Sequence, residues 1–291
     1  MSEAKDDLKR EKVRIVEISK IKDFPNHPFL VKDDESMEQL VKSIEMNGVL
    51  NPVIAREIDD DHYELISGHR RKHACVLLGI DRIPLIGREM TKEEAVIEMV
   101  DSNLQREHIL PSEKARAYKM KMDAMKQQGK RNDLTSSPSG TKLRTDEIIA
   151  QEAGESRNQI QRYIRLNELT DELLEFVDEG KIGMRPAVEL SYLREDEMRD
   201  LVDFIDDEDV FPSHAQTIRM KALSKENKLD TDAIREIMLE EKPNQKARIK
   251  IPMEKIEKYF PVGTSEQKIE ETIIKALAMY RQRQKENRDA R

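Results

Sequence analysis

Three short stretches of this chain carry side chains whose types and spacing suit the chemistry of phosphate and bases. In Glu64-Leu65-Ile66-Ser67-Gly68-His69-Arg70-Arg71 an apolar strand pattern stops at a glycine, and a helix pattern opens with two arginines in its first turn. The first amides of a helix have no partner within it, and together with the helix dipole they favour an anion. Glycine lets that backbone approach a ligand closely, and arginine grips phosphate with a planar fork of donors. Cations at a helix N-terminus oppose the dipole, so two of them there ask for a bound anion. A surface turn with solvated arginines is the competing reading, and the spacing alone leaves both open. Asn103-Leu104-Gln105-Arg106 adds an amide and another guanidinium at a helix end, where an ordinary polar terminus would look the same.

The third stretch, Thr145–Leu166, has the spacing of a helix-turn-helix. Gly154 supplies the positive φ of a tight turn, and Ala150, four positions earlier, lets two helices cross closely. Ile149, Ala153, Ile160 and Tyr163 fall where they bridge the pair. The outward face of the second helix then presents Ser156, Arg157, Asn158, Gln161 and Arg162, the side-chain types that bond base edges and phosphates. A plain helical hairpin with a polar face is the alternative; arginine, asparagine and glutamine facing outward, rather than glutamate, favour duplex DNA.

The elements that must position these residues follow from periodicity and punctuation. Val13–Ile18 reads as a strand, and the two prolines of Asp23-Phe24-Pro25-Asn26-His27-Pro28-Phe29 exclude a helix there. Ser36-Met37-Glu38-Gln39 reads as a capping box opening a helix that Gly48 ends. Residues 52–58 and 62–67 read as strands joined by an acidic turn, 69–78 as a helix and 83–86 as a strand. Thr91-Lys92-Glu93-Glu94 is a second capping box, and a further helix starts near Pro111. Residues 129–144 read as a hinge, and two helical blocks follow, about 145–185 and 186–240. The last stretch reads as a strand over 247–251, a helix over 253–260 and a longer helix from Ser265 to about Gln284. Some forty residues bury little apolar area alone, so 245–285 is expected to pair with a second copy. Its basic tail, Arg281 to Arg291, reads as a solvated end. The fold class is thus α+β: a small N-terminal α/β domain over 13–110, an all-α domain over 111–240 containing the helix-turn-helix (145–166), and a C-terminal dimerisation segment.

Composition bounds the rest. The 291 residues carry a net charge of −8, so DNA binding must rest on a local basic surface. A single cysteine, Cys75, excludes an intrachain disulfide, and with six scattered histidines gives no zinc-ligand spacing. No run reaches the roughly 18 apolar residues of a membrane span. No membrane partner is expected, and a cytoplasmic, nucleoid-associated setting is.

These pieces, in this order, resemble the ParB family of partition and nucleoid-occlusion proteins, whose N-terminal fold is shared with sulfiredoxin. Ser67-Gly68-His69-Arg70-Arg71-Lys72-His73-Ala74 resembles the family's Gly-Glu-Arg-Arg box. Ser102-Asn103-Leu104-Gln105-Arg106-Glu107, followed by Leu110-Pro111-Ser112-Glu113-Lys114-Ala115, resembles its Glu-Asn-x-Gln-Arg and Pro-x-Glu-x-Ala segment, and the helix-turn-helix follows. The block Leu169–Leu193 is similar to the helices after that motif. The resemblance, over roughly residues 13–200, implies a homodimeric DNA clamp for chromosome or plasmid partition that loads at a palindromic site, binds CTP with Mg2+ and hydrolyses it slowly, with a ParA-type ATPase as a partner. It implies that Ser67, Gly68, His69, Arg70, Arg71, Asn103 and Arg106 hold the nucleotide. Three positions depart from the pattern. His69 stands for a glutamate, Ser102 for the metal-side glutamate, with Asp101 one position off, and Asn26-His27-Pro28-Phe29 differs from the family's Asn-Pro-x-Gln-Pro-Arg. They favour a second reading, a transcription regulator of the same fold without nucleotide hydrolysis. An enzyme on this N-terminal fold is a third: sulfiredoxin chemistry needs a cysteine where His69 stands, a free-serine kinase leaves the helix-turn-helix unexplained, and a nuclease needs more clustered carboxylates than Asp59–Asp61.

Overall fold

The computed structural model describes residues 12–59, 61–106, 108–132 and 144–240, together with residues 256, 259–261, 264, 265, 268, 269, 271–277, 279 and 280. The chain divides into two compact units, 1–240 and 241–291. It is an α+β protein.

In the first unit, five strands, β1 (Val13–Glu17), β2 (Ile21–Asp23), β3 (Val53–Glu57), β4 (Tyr63–Ser67) and β5 (Arg82–Arg88), form one sheet in the order β1-β5-β3-β4-β2. β1 with β5 and β3 with β4 are antiparallel; β3 with β5 and β2 with β4 are parallel. Side chains alternate across the pleat, so β3 and β4 each serve two cores. Val53, Ala55, Tyr63 and Leu65 pack with Met37 and Ile44 of α1 (Glu35–Asn47) and with Ala74 and Cys75 of α2 (His69–Leu77). Ile54 and Ile66 face the other way, onto Val96, Met99 and Val100 of α3 (Lys92–Leu104) and Ala117 and Ala124 of α4 (Pro111–Asn132). Glu64, buried on that strand, is paired by Arg56 at 3.0 Å.

Most predicted boundaries are met within a residue or two, and the capping box at Thr91 and Glu94 is formed as expected. The one at Ser36 is not. Asp34 caps α1 instead, its carboxylate accepting from the Met37 amide at 2.9 Å, because the helix starts at Glu35 and leaves Ser36 inside its first turn. The three-residue strand β2 had no legible period.

The helix α4 is shared. One of its faces closes the sheet domain; the other carries Tyr118 and Met122 into a separate cluster with Ile149, Ala150 and Ile160. Buried Lys121 ties the two sides, ion-paired with Asp101 of α3 and, at 2.6 Å, with Glu152 of α5 (Thr145–Ala153). After α5 come α6 (Arg157–Arg165), α7 (Asp171–Asp178), α8 (Met184–Leu190), α9 (Glu195–Glu208), α10 (His214–Lys225) and α11 (Thr231–Leu239). From Leu166 onward they share one core, in which Leu173, Leu190 and Leu201 are wholly buried.

In the second unit, the described residues 268, 269, 271–277, 279 and 280 are helical, within the long helix expected there. The strand expected over 247–251, most of the hinge and the basic tail from Arg281 lie outside the described residues.

Candidate functional site

The helix-turn-helix is built as its spacing requires. Gly154 takes φ +66° between α5 and α6, and the Ser156 hydroxyl caps α6 by accepting from the Gln159 amide at 3.2 Å. Ile160 is fully buried against Ile149, Ala150, Tyr118 and Met122, with Ala153 and Tyr163 packed alongside. The opposite side of α6 carries Arg157, Asn158, Gln161 and Arg162, and these four and the capping Ser156 are all exposed. Five exposed polar side chains thus line the cap and the free face of a helix whose other face is locked.

Two of the five are held by a residue that sequence reasoning passed over. The Asp146 carboxylate, buried near the start of α5, accepts from Arg157 Nε at 2.8 Å and Gln161 Nε2 at 2.9 Å, and also from Arg144 at 3.2 Å. Burial alone would raise its pKa; the hydrogen bonds from Arg157, Gln161 and Arg144 outweigh that and hold it below the usual carboxylate range. An aspartate eleven and fifteen positions before its partners gives no local signal. Arg162 has no ion-pair partner among the described residues. Arg165 is turned away from this face, donating to the Ser191 hydroxyl and carbonyl and lying 4.2 Å over the Tyr192 ring.

The glycine turn is the second site. Ser67 ends β4, and Gly68, at φ +107°, is the N-cap of α2. A Cβ at Gly68 would sit 2.7 Å from Val53 Cγ1, so the close packing of the turn on β3 admits no side chain. The amides at the start of α2 are left without helical partners, the arrangement that receives an anion. Arg70 donates to the Ser36 hydroxyl at 2.7 Å and lies 3.9 Å from Asp34. Arg71 bonds the carbonyls of Asn51 and Pro52 at 2.6 and 2.8 Å, bracing the entry to β3, and burial lowers its pKa.

His69 meets a residue from a distant loop. Its ring lies 3.6 Å from the His27 ring, centroid to centroid, with 33° between the planes. Nε2 of both rings is buried without a hydrogen-bond partner among the described residues. Burial, then the neighbouring His27, drives the His69 pKa down to about 3, and burial lowers that of His27, so both rings are neutral near pH 7. Arg106 completes the cluster, 5.6 Å over the Phe29 ring, its pKa lowered by burial. Asn103 is buried, its amide donating to the Met99 carbonyl at 2.8 Å. The fold therefore gathers His69, Arg70 and Arg106 with His27 and Phe29, while Arg71 and Asn103 are engaged by backbone.

The donors here do not fit Mg2+, which takes oxygen ligands in an octahedron. Asp23 is paired with Lys72 at 2.8 Å, Asp101 with Lys121, and Glu113 accepts from the amides of Leu30 and Leu110. Among the described residues, no group of three or more His, Cys, Asp or Glu is placed to hold a metal ion.

Two family models match the chain. The model of the ParB N-terminal domain matches residues 2–104, and that of the ParB HTH domain matches residues 141–211. The nucleoid occlusion protein of Listeria innocua serovar 6a is 32% identical over 197 residues, which are 67% of this chain and 63% of that protein. The chain thus spans less than two thirds of the length of this relative. Among solved structures, the C-terminally truncated chromosome-partitioning protein ParB of Caulobacter crescentus, complexed to the centromeric parS site, is 24% identical with a TM-score of 0.42, covering 73% of this chain and 99% of that one. The same truncated protein complexed with CTP-gamma-S is 26% identical with a TM-score of 0.31, covering 67% of this chain and 99% of that one.

Proposed function

The chain belongs to the ParB family, and from that premise we propose that it is a site-specific binder of duplex DNA, of the partition and nucleoid-occlusion kind, whose DNA binding is regulated by a nucleoside triphosphate, CTP. The observation that carries this reading is the free face of α6. A helix N-terminus favours phosphate, and Arg157, Asn158, Gln161 and Arg162 offer the donors and acceptors that distinguish base edges in a major groove. Asp146 holds Arg157 and Gln161 before DNA arrives, which reduces the side-chain entropy lost on binding. A palindromic site read by a homodimer follows from the family, and 245–285 is the segment we assign to pairing. A ParA-type ATPase partner and a nucleoid-associated location belong to the same reading, as does the division into 13–110, 111–240 and the C-terminal segment.

In the N-terminal domain, the amides that follow Gly68, with Arg70 and Arg106, are assigned to the phosphates, and Arg71 to the support of the turn. Hydrolysis is not assigned. Asp101, the carboxylate nearest the family's metal-side position, is engaged by Lys121, and a neutral His69 stands where the family has a glutamate. The same observations favour the second reading, a transcription regulator that keeps the fold and does not turn nucleotide over.

Calorimetric titration of the full chain with each of the four nucleoside triphosphates, with and without a duplex selected from a random pool, separates the two. Binding of CTP alone among the four, altered by DNA, is the expected result. Binding of DNA without any nucleotide binding would establish the second reading, and no preference for any duplex over random competitor would overturn both.

A further inference from the structure

His27 and His69 leave two ring nitrogens without partners beside an anion-binding turn. His27 Nδ1 lies 2.7 Å from the Phe29 carbonyl oxygen. A carbonyl only accepts, so Nδ1 carries the hydrogen, and Nε2 of the neutral ring is bare. That bare nitrogen and Nε2 of His69 are both buried without a partner. Unpaired polar atoms out of water cost stability, and in a native fold they ask for an explanation. Beside His69 lies a cleft of about 270 Å³ lined by Asp23, Val31, His69, Lys72, His73 and Val76.

The charged groups that act on the pair come from β2, α2, α4 and the segment after α3. Asp23 of β2 and Glu113 of α4 favour a protonated ring; Lys72 of α2 and Arg106, beyond the end of α3, oppose it. Both carboxylates already have partners. A polyphosphate at the N-terminus of α2 changes the balance, because it brings negative charge next to the rings and offers oxygens to a ring N–H. Two imidazolium rings in face contact at 3.6 Å would repel, so one proton is taken up and not two.

We propose that the His27–His69 pair is a phosphate-binding subsite that takes up one proton as the nucleotide binds, so that an imidazolium supplies the positive charge a carboxylate-held magnesium ion would otherwise bring. This rests on the nucleotide reading above. It makes binding independent of divalent cations and stronger in mild acid. Affinity is full below the pKa of the unliganded pair. As pH rises from that value to the pKa of the pair in the complex, affinity falls by up to about ten-fold per pH unit, the slope for one proton, and it levels off above the latter.

The test is calorimetry of the full chain with CTP in EDTA at pH 6, 7 and 8, in two buffers of different ionisation enthalpy. The expected result is binding in EDTA, with close to one proton taken up per CTP beyond that taken up by His27→Gln and His69→Gln. The variants are needed because the terminal phosphate of CTP titrates in the same range. Circular dichroism and retained binding to the selected duplex establish that they fold. Proton uptake identical in the parent and both variants overturns the inference, and so does CTP binding that EDTA abolishes. Failure of the parent to bind CTP at any pH, with or without Mg2+, overturns the nucleotide reading itself, which tells the two failures apart.

Discussion

The recognition helix and the glycine turn both offer polar groups to a phosphate-bearing ligand, and they prepare them in opposite ways. Along α6 the side chains offered come from seven consecutive positions, 156–162; they are exposed, and two of them are held by Asp146. Around Gly68 the groups come from the loop after β2, the start of α2 and the end of α3, and two ring nitrogens there are buried and unpartnered. An exposed donor loses little by waiting, since water bonds it until DNA does. A buried one carries its cost until a ligand arrives, so it couples ligand binding to stability and protonation. On the proposed reading, the difference separates a surface that reads from a pocket that responds.

The sharpest way to break the comparison is to damage each region alone. Gly68→Ala forces a side chain onto a residue at φ +107° and drives its Cβ to 2.7 Å from Val53. Backbone strain and overpacking together are expected to cost about 2–5 kcal/mol, read by denaturant unfolding, with nucleotide binding lost and duplex binding kept in the fraction that folds. Ile160→Ala opens a cavity in the fully buried core beneath α6, at a cost of about 2–5 kcal/mol, and is expected to remove duplex binding while CTP binding persists. Reciprocal losses would show that the two regions do not act separately.

A finer comparison lies within α6. Arg157→Ala and Arg162→Ala are each expected to cost about 1–3 kcal/mol of specific binding if the side chain reaches a base edge, measured by competition between the selected duplex and random DNA. Equal weakening on every sequence, with a shallower salt dependence, would mark a phosphate contact instead. The smallest effect is expected at the support. Asp146→Ala releases Arg157 and Gln161, and should lower stability and specific affinity by about 1 kcal/mol, because its partners are largely exposed. The pKa of Asp146 is depressed, so its contribution is fully present above the ordinary carboxylate range and is lost as pH falls through the depressed value. The difference between the parent and Asp146→Ala should therefore hold from neutral pH to about pH 4 and vanish in stronger acid.

Much of this was legible in the residues. Gly154, Ala150 and the four bridging apolar positions located the helix-turn-helix, because helix period and turn chemistry act over a few neighbours. Thr91 with Glu94 set the start of α3 in the same way. At Ser36 the local rule named the wrong residue, since Asp34, two positions earlier, caps as well as serine does and the helix starts there first.

The sequence by itself determined the order of the domains, the free face of α6 and the glycine at the strand-to-helix turn, all of which rest on contacts between near neighbours along the chain. Tertiary structure alone decided that His27 would lie against His69, that Lys121 would engage Asp101 and Glu152, and that Arg71 would brace a strand. Partners separated by 19 to 42 positions leave no period or spacing to read. Their pairing is fixed only when the sheet and α4 bring those segments together, and burial then makes each pairing costly to break.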